Sequence, residues 1–274
     1  MKKNKEKRNL ISIEILGLLL GLIWIAPFYL MIVNAFKTKR DIFSGVLGFP
    51  EEVVFSNFVE AFIDLAFLKS LFNSVLITGL SIAIIILFSS MAGYALARNK
   101  SKLSGIIFFI FVAAMLIPFQ SVMIPLVSIF GQADMLNAGG LIFMYLGFGC
   151  SLSIFLYHGA MTGISKSMDE AAIIDGANRF QTFWYIIFPL LKPISVTVAI
   201  LNVIWIWNDY LLPSLVLSES NATIPLKMFY FFGQYTKQWH LALAGLTIAI
   251  LPVIVGYFFA QKQIINGVSE GAVK

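Results

Sequence analysis

The chain has 274 residues, of which 59% are hydrophobic and 12% charged, whereas soluble globular domains carry roughly 25% charged residues. That balance excludes a soluble fold built round one large core and points to repeated membrane crossings. The formal net charge of +5 does not point to nucleic acid, because in a membrane protein the placement of cations matters more than their sum.

Residues 1–9 (MKKNKEKRN) are basic and polar, and an apolar run follows over 10–36. About 20 apolar residues cross the hydrocarbon. The run exceeds the roughly 7–15 residues of a signal-peptide core, and no small-residue cleavage site closes it early. An uncleaved spanning helix is expected, with Glu14 near its inner end and Pro27 as a candidate kink. The loop over 37–69 is mixed and charged. Asn57 and Glu60 have capping-box spacing, and Phe58, Phe62 and Leu65 recur at helical spacing. A short amphipathic helix is expected there, either lying on the membrane interface or packed on the protein's own spans.

A second span is expected over 71–96, where Ser89, Gly93 and Ala97 form a small-residue stripe that lets a neighbouring helix approach. Arg98, Lys100 and Lys102 make a basic turn. The third span is expected over 103–130, broken by Pro118 and Pro125, which a bundle tolerates where neighbours satisfy the freed backbone groups. The fourth is expected over 141–162.

The stretch 167–193, SMDEAAIIDGANRFQTFWYIIFPLLKP, is a polar-to-mixed island between apolar runs. Ser167 and Glu170 have capping-box spacing, so a short helix is expected over 168–176, stopped by Gly176 in the left-handed conformation. Met168, Ala171, Ala172 and Asp175 would share a side small enough for another protein's backbone to come close. Asn178 and Gln181 repeat the capping spacing and start a second helix. On spacing alone this could equally be a loop that joins two spans. The fifth span is expected over 183–212, bent at its start because Pro189 and Pro193 remove backbone hydrogen bonds. An aromatic-rich loop follows, and the sixth span is expected over 242–260.

Orientation follows from the cations. With the N-terminus inside, thirteen of the nineteen lysines and arginines fall on inner segments, which favours both termini in the cytoplasm. The stretch 167–193 then lies inside as well.

Catalytic chemistry is not apparent. There is no G-x-x-x-x-G-K-[ST] loop, HExxH helix or GxSxG elbow in the sequence, so ATP hydrolysis is not expected of this chain. His158 and His240 have no metal-ligand spacing around them. The single cysteine, Cys150, lies in an apolar run and reads as a packing residue. Asp209 does need an explanation, because a carboxylate at bilayer centre costs roughly 2.5–3.5 kcal/mol. Asn202, Trp205 and Asp209 share a helical face by spacing. Amide, indole and carboxylate suit a sugar, and they equally suit an interface anchor with an interhelical hydrogen bond.

Several stretches resemble known permeases. Glu170-Ala171-Ala172, Asp175-Gly176-Ala177, Phe183, Ile186 and Pro189 closely resemble the EAA loop of bacterial ABC-importer permeases. Asn34 to Thr38, Asn73-Ser74, Ala92 to Arg98, Pro118-Phe119-Gln120, Trp207 to Tyr210, Leu251-Pro252 and Gly271 to Lys274 resemble the carbohydrate branch, the maltose-permease G type. The resemblance implies an all-α polytopic membrane protein with six transmembrane helices and the type I importer (MetI-like) fold, in one permease domain over 1–274. It implies a bacterial plasma-membrane subunit of an ATP-driven, binding-protein-dependent sugar importer that works by alternating access. The implied partners are a second permease forming a heterodimer, two ATPase subunits that hold ATP and Mg, and an extracytoplasmic sugar-binding protein. No cofactor, metal or catalytic residue is implied in this chain.

By the same resemblance Glu170, Ala171, Ala172, Asp175, Gly176 and Ala177 couple to the ATPase. Gln120, Asn202, Trp205, Asn208 and Asp209 are candidates for the translocation path, and Gly233, Gln234 and Tyr235 for contact with the binding protein. Two other classes stay open: an ABC permease for a non-sugar solute, and a stand-alone channel or intramembrane enzyme.

Overall fold

The structure, a computed structural model, describes the backbone of residues 2–230 and 238–272 and the side chains of residues 10, 13–230, 238–258 and 261. In chain order the helices are α1 (Lys2–Ala35), α2 (Lys39–Ser44), α3 (Ser56–Asp64), α4 (Phe67–Arg98), α5 (Lys102–Ala114), α6 (Phe119–Gln132) and α7 (Ala138–Thr162). Next come α8 (Ser167–Ile174), α9 (Arg179–Gln181), a π-helical turn over Thr182–Ile187, α10 (Phe188–Leu190) and α11 (Lys192–Asn208). Then follow α12 (Leu211–Val216), a 3-10 turn over Glu219–Asn221, α13 (Ile224–Tyr230) and α14 (Trp239–Ala272). Among the described residues there is no β-strand.

Among the described residues four unbroken helices are long and apolar enough to span a bilayer: Ile13–Ala35 of α1, then α4, α7, and Trp239–Phe258 of α14. Two bent pairs complete the six expected crossings when each counts as one: α5 with α6, at 104°, and Arg179–Leu190 with α11, at 74°. The third span therefore differs from the single broken helix expected over 103–130. The chain leaves the helix over 115–118, and α6 restarts after Pro118, whose extended backbone precedes its first turn. Pro125 sits inside α6 without ending it. The fifth span is bent at its start, as the two prolines require, but its helix ends at Asn208 rather than at 212.

The chain divides into two compact units, Met1–Phe67 with Met228–Ile254, and Leu68–Lys227 with Val255–Lys274. In the first unit the end of α1 is closed by side chains and backbone from further along the chain. The last carbonyls of a helix lack intrahelical partners. Here Asn57 Nδ2 donates to the Ala35 and Lys37 carbonyls at 2.9 and 2.8 Å, and the Val54 amide donates to Phe36 at 2.8 Å. Asn57 is buried and sits inside α3, so it does not cap that helix as its spacing had suggested. The residue before α3 is Phe55, which makes no side-chain cap. Phe58 stacks at 4.7 Å on Phe36, which packs this short helix on the end of α1. Lys37, wholly buried, donates Nζ to the Gly45 carbonyl at 2.6 Å, and Asn34 donates to Val46 at 2.8 Å.

In the second unit α7 is the central element, packing against α5, α11 and α12. Lipid tails are as apolar as leucine, so helices in a membrane cohere through close packing and hydrogen bonds rather than through exclusion of water. α7 shows this at two glycine contacts. A Cβ on Gly93 of α4 would stand 2.6 Å from Tyr157 Cβ, and one on Gly149 of α7 would stand 2.6 Å from Ile85 Cδ1 and 2.7 Å from Asn202 Oδ1. Ser89, one turn before Gly93, is fully buried, so the small stripe expected on the second span lies in a helix contact. His158 stacks on Phe108 at 4.0 Å, a packing role for that histidine.

Candidate functional site

The short helix expected over 168–176 is present as α8, and its two ends are built differently. Its start lacks the expected capping box. Lys166 precedes the first turn in helical backbone with no side-chain cap, and Ser167 Oγ lies 2.8 Å from Ser165 Oγ instead. Its end is a Schellman motif. The Ala177 amide donates to the Ala172 carbonyl at 2.9 Å, and the Gly176 amide donates to Ile173 at 3.0 Å. Gly176 has φ of +85°, the left-handed conformation that glycine adopts without steric cost.

The orientation of α8 was not readable from its spacing. Asp169 is held by the C-terminal end of α4: Arg98 Nη2 pairs with Asp169 Oδ2 at 2.8 Å, and the Tyr94 hydroxyl donates to Asp169 Oδ1 at 2.7 Å. Arg98 Nη1 also donates to the Ile164 carbonyl at 3.0 Å. Pulling Asp169 inward turns Ala172, one turn later, into the protein, where it is 3% exposed. The small side expected to carry Met168, Ala171, Ala172 and Asp175 is therefore divided. Met168, Ala171, Asp175 and Glu170 face outward, together with Ile173 and Ile174, and Ile174 is 85% exposed. A cavity of about 640 Å3 opens beside the helix, lined by Tyr94, Arg98, Lys166, Asp169, Glu170 and Arg179 among others.

Beyond Gly176 the second capping box forms as expected. The Asn178 amide donates to Gln181 Oε1 and the Gln181 amide to Asn178 Oδ1, both at 2.9 Å. The chain then runs through the π-helical turn and across the 74° bend into α11. Prolines at 189 and 193, near the first positions of α10 and α11, fit there because those positions lack intrahelical amide bonds anyway.

Among the candidate path residues, Asn202 and Trp205 line a second, mostly apolar cavity of about 550 Å3 between α5, α6, α7 and α11. Asn202 is buried and donates to Ser153 Oγ at 3.2 Å and to the Val198 carbonyl at 2.8 Å. Trp205 packs edge-on against Tyr145 and Phe148 and is 40% exposed. Asp209 lies just past α11, where the backbone turns extended, so it does not continue the face of Asn202 and Trp205. Its Oδ2 accepts from the Tyr145 hydroxyl at 2.9 Å, and its Oδ1 accepts from the Leu211 amide at 3.0 Å. Gln120 and Asn208 are exposed and lie outside that cavity lining. Gly233, Gln234 and Tyr235 fall outside the described residues, as do Val273 and Lys274 of the tail.

The family described as the inner membrane component of binding-protein-dependent transport systems matches residues 85–269, a range that includes α8, its partners on α4 and the bent fifth span. The chain belongs to this family. The permease is similar over its whole length to AmyC of Thermoanaerobacterium thermosulfurigenes, a permease named for the transport of starch degradation products, at 53% identity over 275 residues and 100% of both chains. MelC of Bacillus subtilis, named as a melibiose/raffinose/stachyose import permease, is 37% identical over 96% of this chain and 97% of its own. MsmG of Streptococcus mutans, a multiple sugar-binding transport system permease, is 34% identical over 99% and 100%. A solved bacterial ABC transporter that imports the acidic polysaccharide alginate matches with TM-score 0.74 and 25% identity, over 92% of this chain and 96% of its own. The permease is thus a multi-pass subunit of an ABC importer, a transport component rather than an enzyme, with the type I importer fold.

Proposed function

We propose that this permease carries an oligosaccharide or related carbohydrate across the bacterial plasma membrane, and that it pairs with a second six-span permease. In this reading both termini and α8 face the cytoplasm. Two ATPase subunits hold ATP and Mg there, and an extracytoplasmic binding protein delivers the sugar. The names of the relatives support a carbohydrate cargo. The cation bias supports the orientation.

The observation that carries the coupling role is the outward face of α8. A two-turn helix that exposes Ile173, Ile174 and Met168 at 59%, 85% and 41%, with Glu170 and Asp175 among them, offers a mixed apolar and acidic face. Large apolar side chains left exposed together on a short helix suit contact with another protein. Glu170, Ala171, Asp175 and Gly176 present or terminate this face, while Ala172 and Ala177 hold it in place. ATP binding draws the ATPases together, α8 follows, and the spans pass from inward-open to outward-open. This requires two states close enough in energy for docking to bias them. The sugar path runs past Trp205, whose indole offers a stacking surface. Asn202 is the polar candidate that lines the same cavity, while Gln120, Asn208 and Asp209 lie outside its lining.

Purifying the permease from its native membrane in mild detergent tests this reading. An ATPase subunit and a second permease are expected to co-purify, and ATP-driven uptake of a labelled maltodextrin is expected in proteoliposomes made from that complex once its sugar-binding protein is added. Solute movement by the isolated chain, without any ATPase, overturns it.

A further inference from the structure

The chain that follows α1 folds back along it. The Val54 amide donates to the Phe36 carbonyl at 2.8 Å, so residues 37–53 form a closed excursion that returns to the end of the helix. Three side chains tie the tip of this excursion to α1. Lys37 Nζ donates to the Gly45 carbonyl at 2.6 Å, Asn34 Nδ2 to Val46 at 2.8 Å, and the Tyr29 hydroxyl to Leu47 at 2.9 Å. The Phe49 ring meets Tyr29 edge-on, with centroids 6.4 Å apart. Tyr29 lies six residues before the end of α1, about 9 Å along the axis at 1.5 Å per residue. The tip is therefore nearer the membrane centre than the end of its own helix. About 20 apolar residues cross the hydrocarbon, and counted from Leu10 they end at Tyr29.

At this depth the tip is apolar and uncovered. Phe43, Leu47 and Phe49 are 71%, 71% and 79% exposed. The charges stand at the neck: Lys39, Arg40 and Asp41 precede the tip, and Glu51 and Glu52 follow it. Asp41 Oδ2 accepts from the Glu51 amide at 3.1 Å, which closes the neck with polar groups.

The backbone of the tip is satisfied on one side only. Three successive carbonyls have donors from α1 or the residues just after it, whereas the amides of Val46, Leu47 and Gly48 have no partner among the described residues. Water would serve both kinds of group, and a protein neighbour would bring both donors and acceptors. Phospholipid ester and phosphate oxygens only accept. A segment seated among them needs its own donors for its carbonyls and can leave its amides to the lipid.

We propose that residues 43–49 are a lipid anchor. Phe43, Leu47 and Phe49 enter the edge of the acyl layer in the leaflet where α1 ends, and lipid oxygens take the free amides. Tyr29, Asn34 and Lys37 hold the anchor at that depth, so it fixes where the end of α1 sits in the bilayer. The inference rests on α1 crossing the membrane and not on the cargo or the ATPase.

Spin-label collision measurements test it, on the purified permease with the subunits that accompany it, in nanodiscs of phosphatidylethanolamine and phosphatidylglycerol. Cys150 is replaced by alanine, and labels are placed singly at Leu47→Cys, Phe49→Cys and Glu52→Cys. The first two side chains are exposed, so their replacement leaves the packed parts intact. Oxygen concentrates among acyl chains and a nickel chelate in water. The labels at 47 and 49 are expected to collide more often with oxygen than with the chelate, and the label at 52 to show the reverse. If either tip label meets the chelate more often than oxygen, the tip lies in water and the proposal is overturned. If either tip label is shielded from both reagents, a protein covers the tip and the proposal is likewise overturned.

Discussion

Gly93 of α4 and Tyr157 of α7 are so close that a Cβ on the glycine would stand 2.6 Å from the tyrosine Cβ and 3.2 Å from the His158 backbone nitrogen. A change of rotamer cannot relieve this, because the Tyr157 Cβ is fixed by its backbone, and the tyrosine hydroxyl also ties α7 to α11 by donating to Ser195 Oγ at 2.8 Å. Gly93→Val should therefore push α4 off α7 at a cost of about 1–3 kcal/mol, the usual range for overpacking. The purified complex should unfold at a lower temperature. Gly79→Val on the same helix is the control, since nothing lies within 4 Å of a Cβ there, and its unfolding temperature should match the unaltered protein.

Gly176 ends α8 with φ of +85° and open space around its Cβ position, so conformation, not crowding, decides what fits there. A leucine in this conformation costs about 1–2 kcal/mol and favours a continued helix, which would misplace both the outward face of α8 and the Asn178 capping box. Gly176→Leu should insert into the membrane at normal levels and lose ATP-driven uptake. Gly176→Asn should retain most of it, because asparagine tolerates the left-handed region. Membrane content by immunoblot, alongside uptake in proteoliposomes, checks both outcomes, and normal uptake by Gly176→Leu removes α8 from the mechanism.

The parts of this site that sequence could reveal are those made by near neighbours along the chain. Asn178 and Gln181 are three apart, and the box they form closes within one turn. Ser167 and Glu170 have the same spacing and form no box, because the helix already starts on Lys166 and the Ser167 hydroxyl meets Ser165. Asn57 failed for a related reason: unpaired carbonyls at the end of α1 take its amide. The stop at Gly176 needs only a glycine after a periodic run, so it was legible. The facing of α8 is set by Arg98 and Tyr94, which reach Asp169 across 71 and 75 residues of chain, and no periodicity encodes that pairing. Pro118 marked a break in the third span, but the 104° turn depends on what α6 packs against.

Asn57 gives a test of how the first unit is held together. Its amide is buried and supplies both hydrogens to carbonyls at the end of α1. Asn57→Ala would strand two buried acceptors, at a cost of about 2 kcal/mol. Asn57→Asp should be worse, since an ionised carboxylate accepts only and would face two carbonyl oxygens. Hydrogen exchange should report this locally, with faster exchange over 34–58 in both variants and unchanged protection in α7. Slow exchange over 34–58 in Asn57→Asp would show that the amide does not hold that loop.

Asp209 and Tyr145 supply the test that separates a structural carboxylate from a sugar ligand. The carboxylate spends Oδ2 on the Tyr145 hydroxyl and Oδ1 on the Leu211 and Leu212 amides at 3.0 and 3.4 Å, which fixes the turn from α11 into α12. An asparagine keeps an oxygen for the two amides and turns its NH2 toward Tyr145, whose hydroxyl can accept. Asp209→Asn should therefore retain its unfolding temperature and its uptake. Tyr145→Phe removes one hydrogen bond and leaves a carboxylate oxygen short of a partner, at a cost of about 1–3 kcal/mol. Asp209→Ala removes all three and should be the most destabilised of the set. Because Tyr145 and Asp209 touch, the double variant Tyr145→Phe, Asp209→Ala should be more stable than the sum of the single losses predicts. A rise in KM for uptake in Asp209→Asn at an unchanged unfolding temperature would instead assign the carboxylate to the sugar. The turn would then be held by the backbone around it.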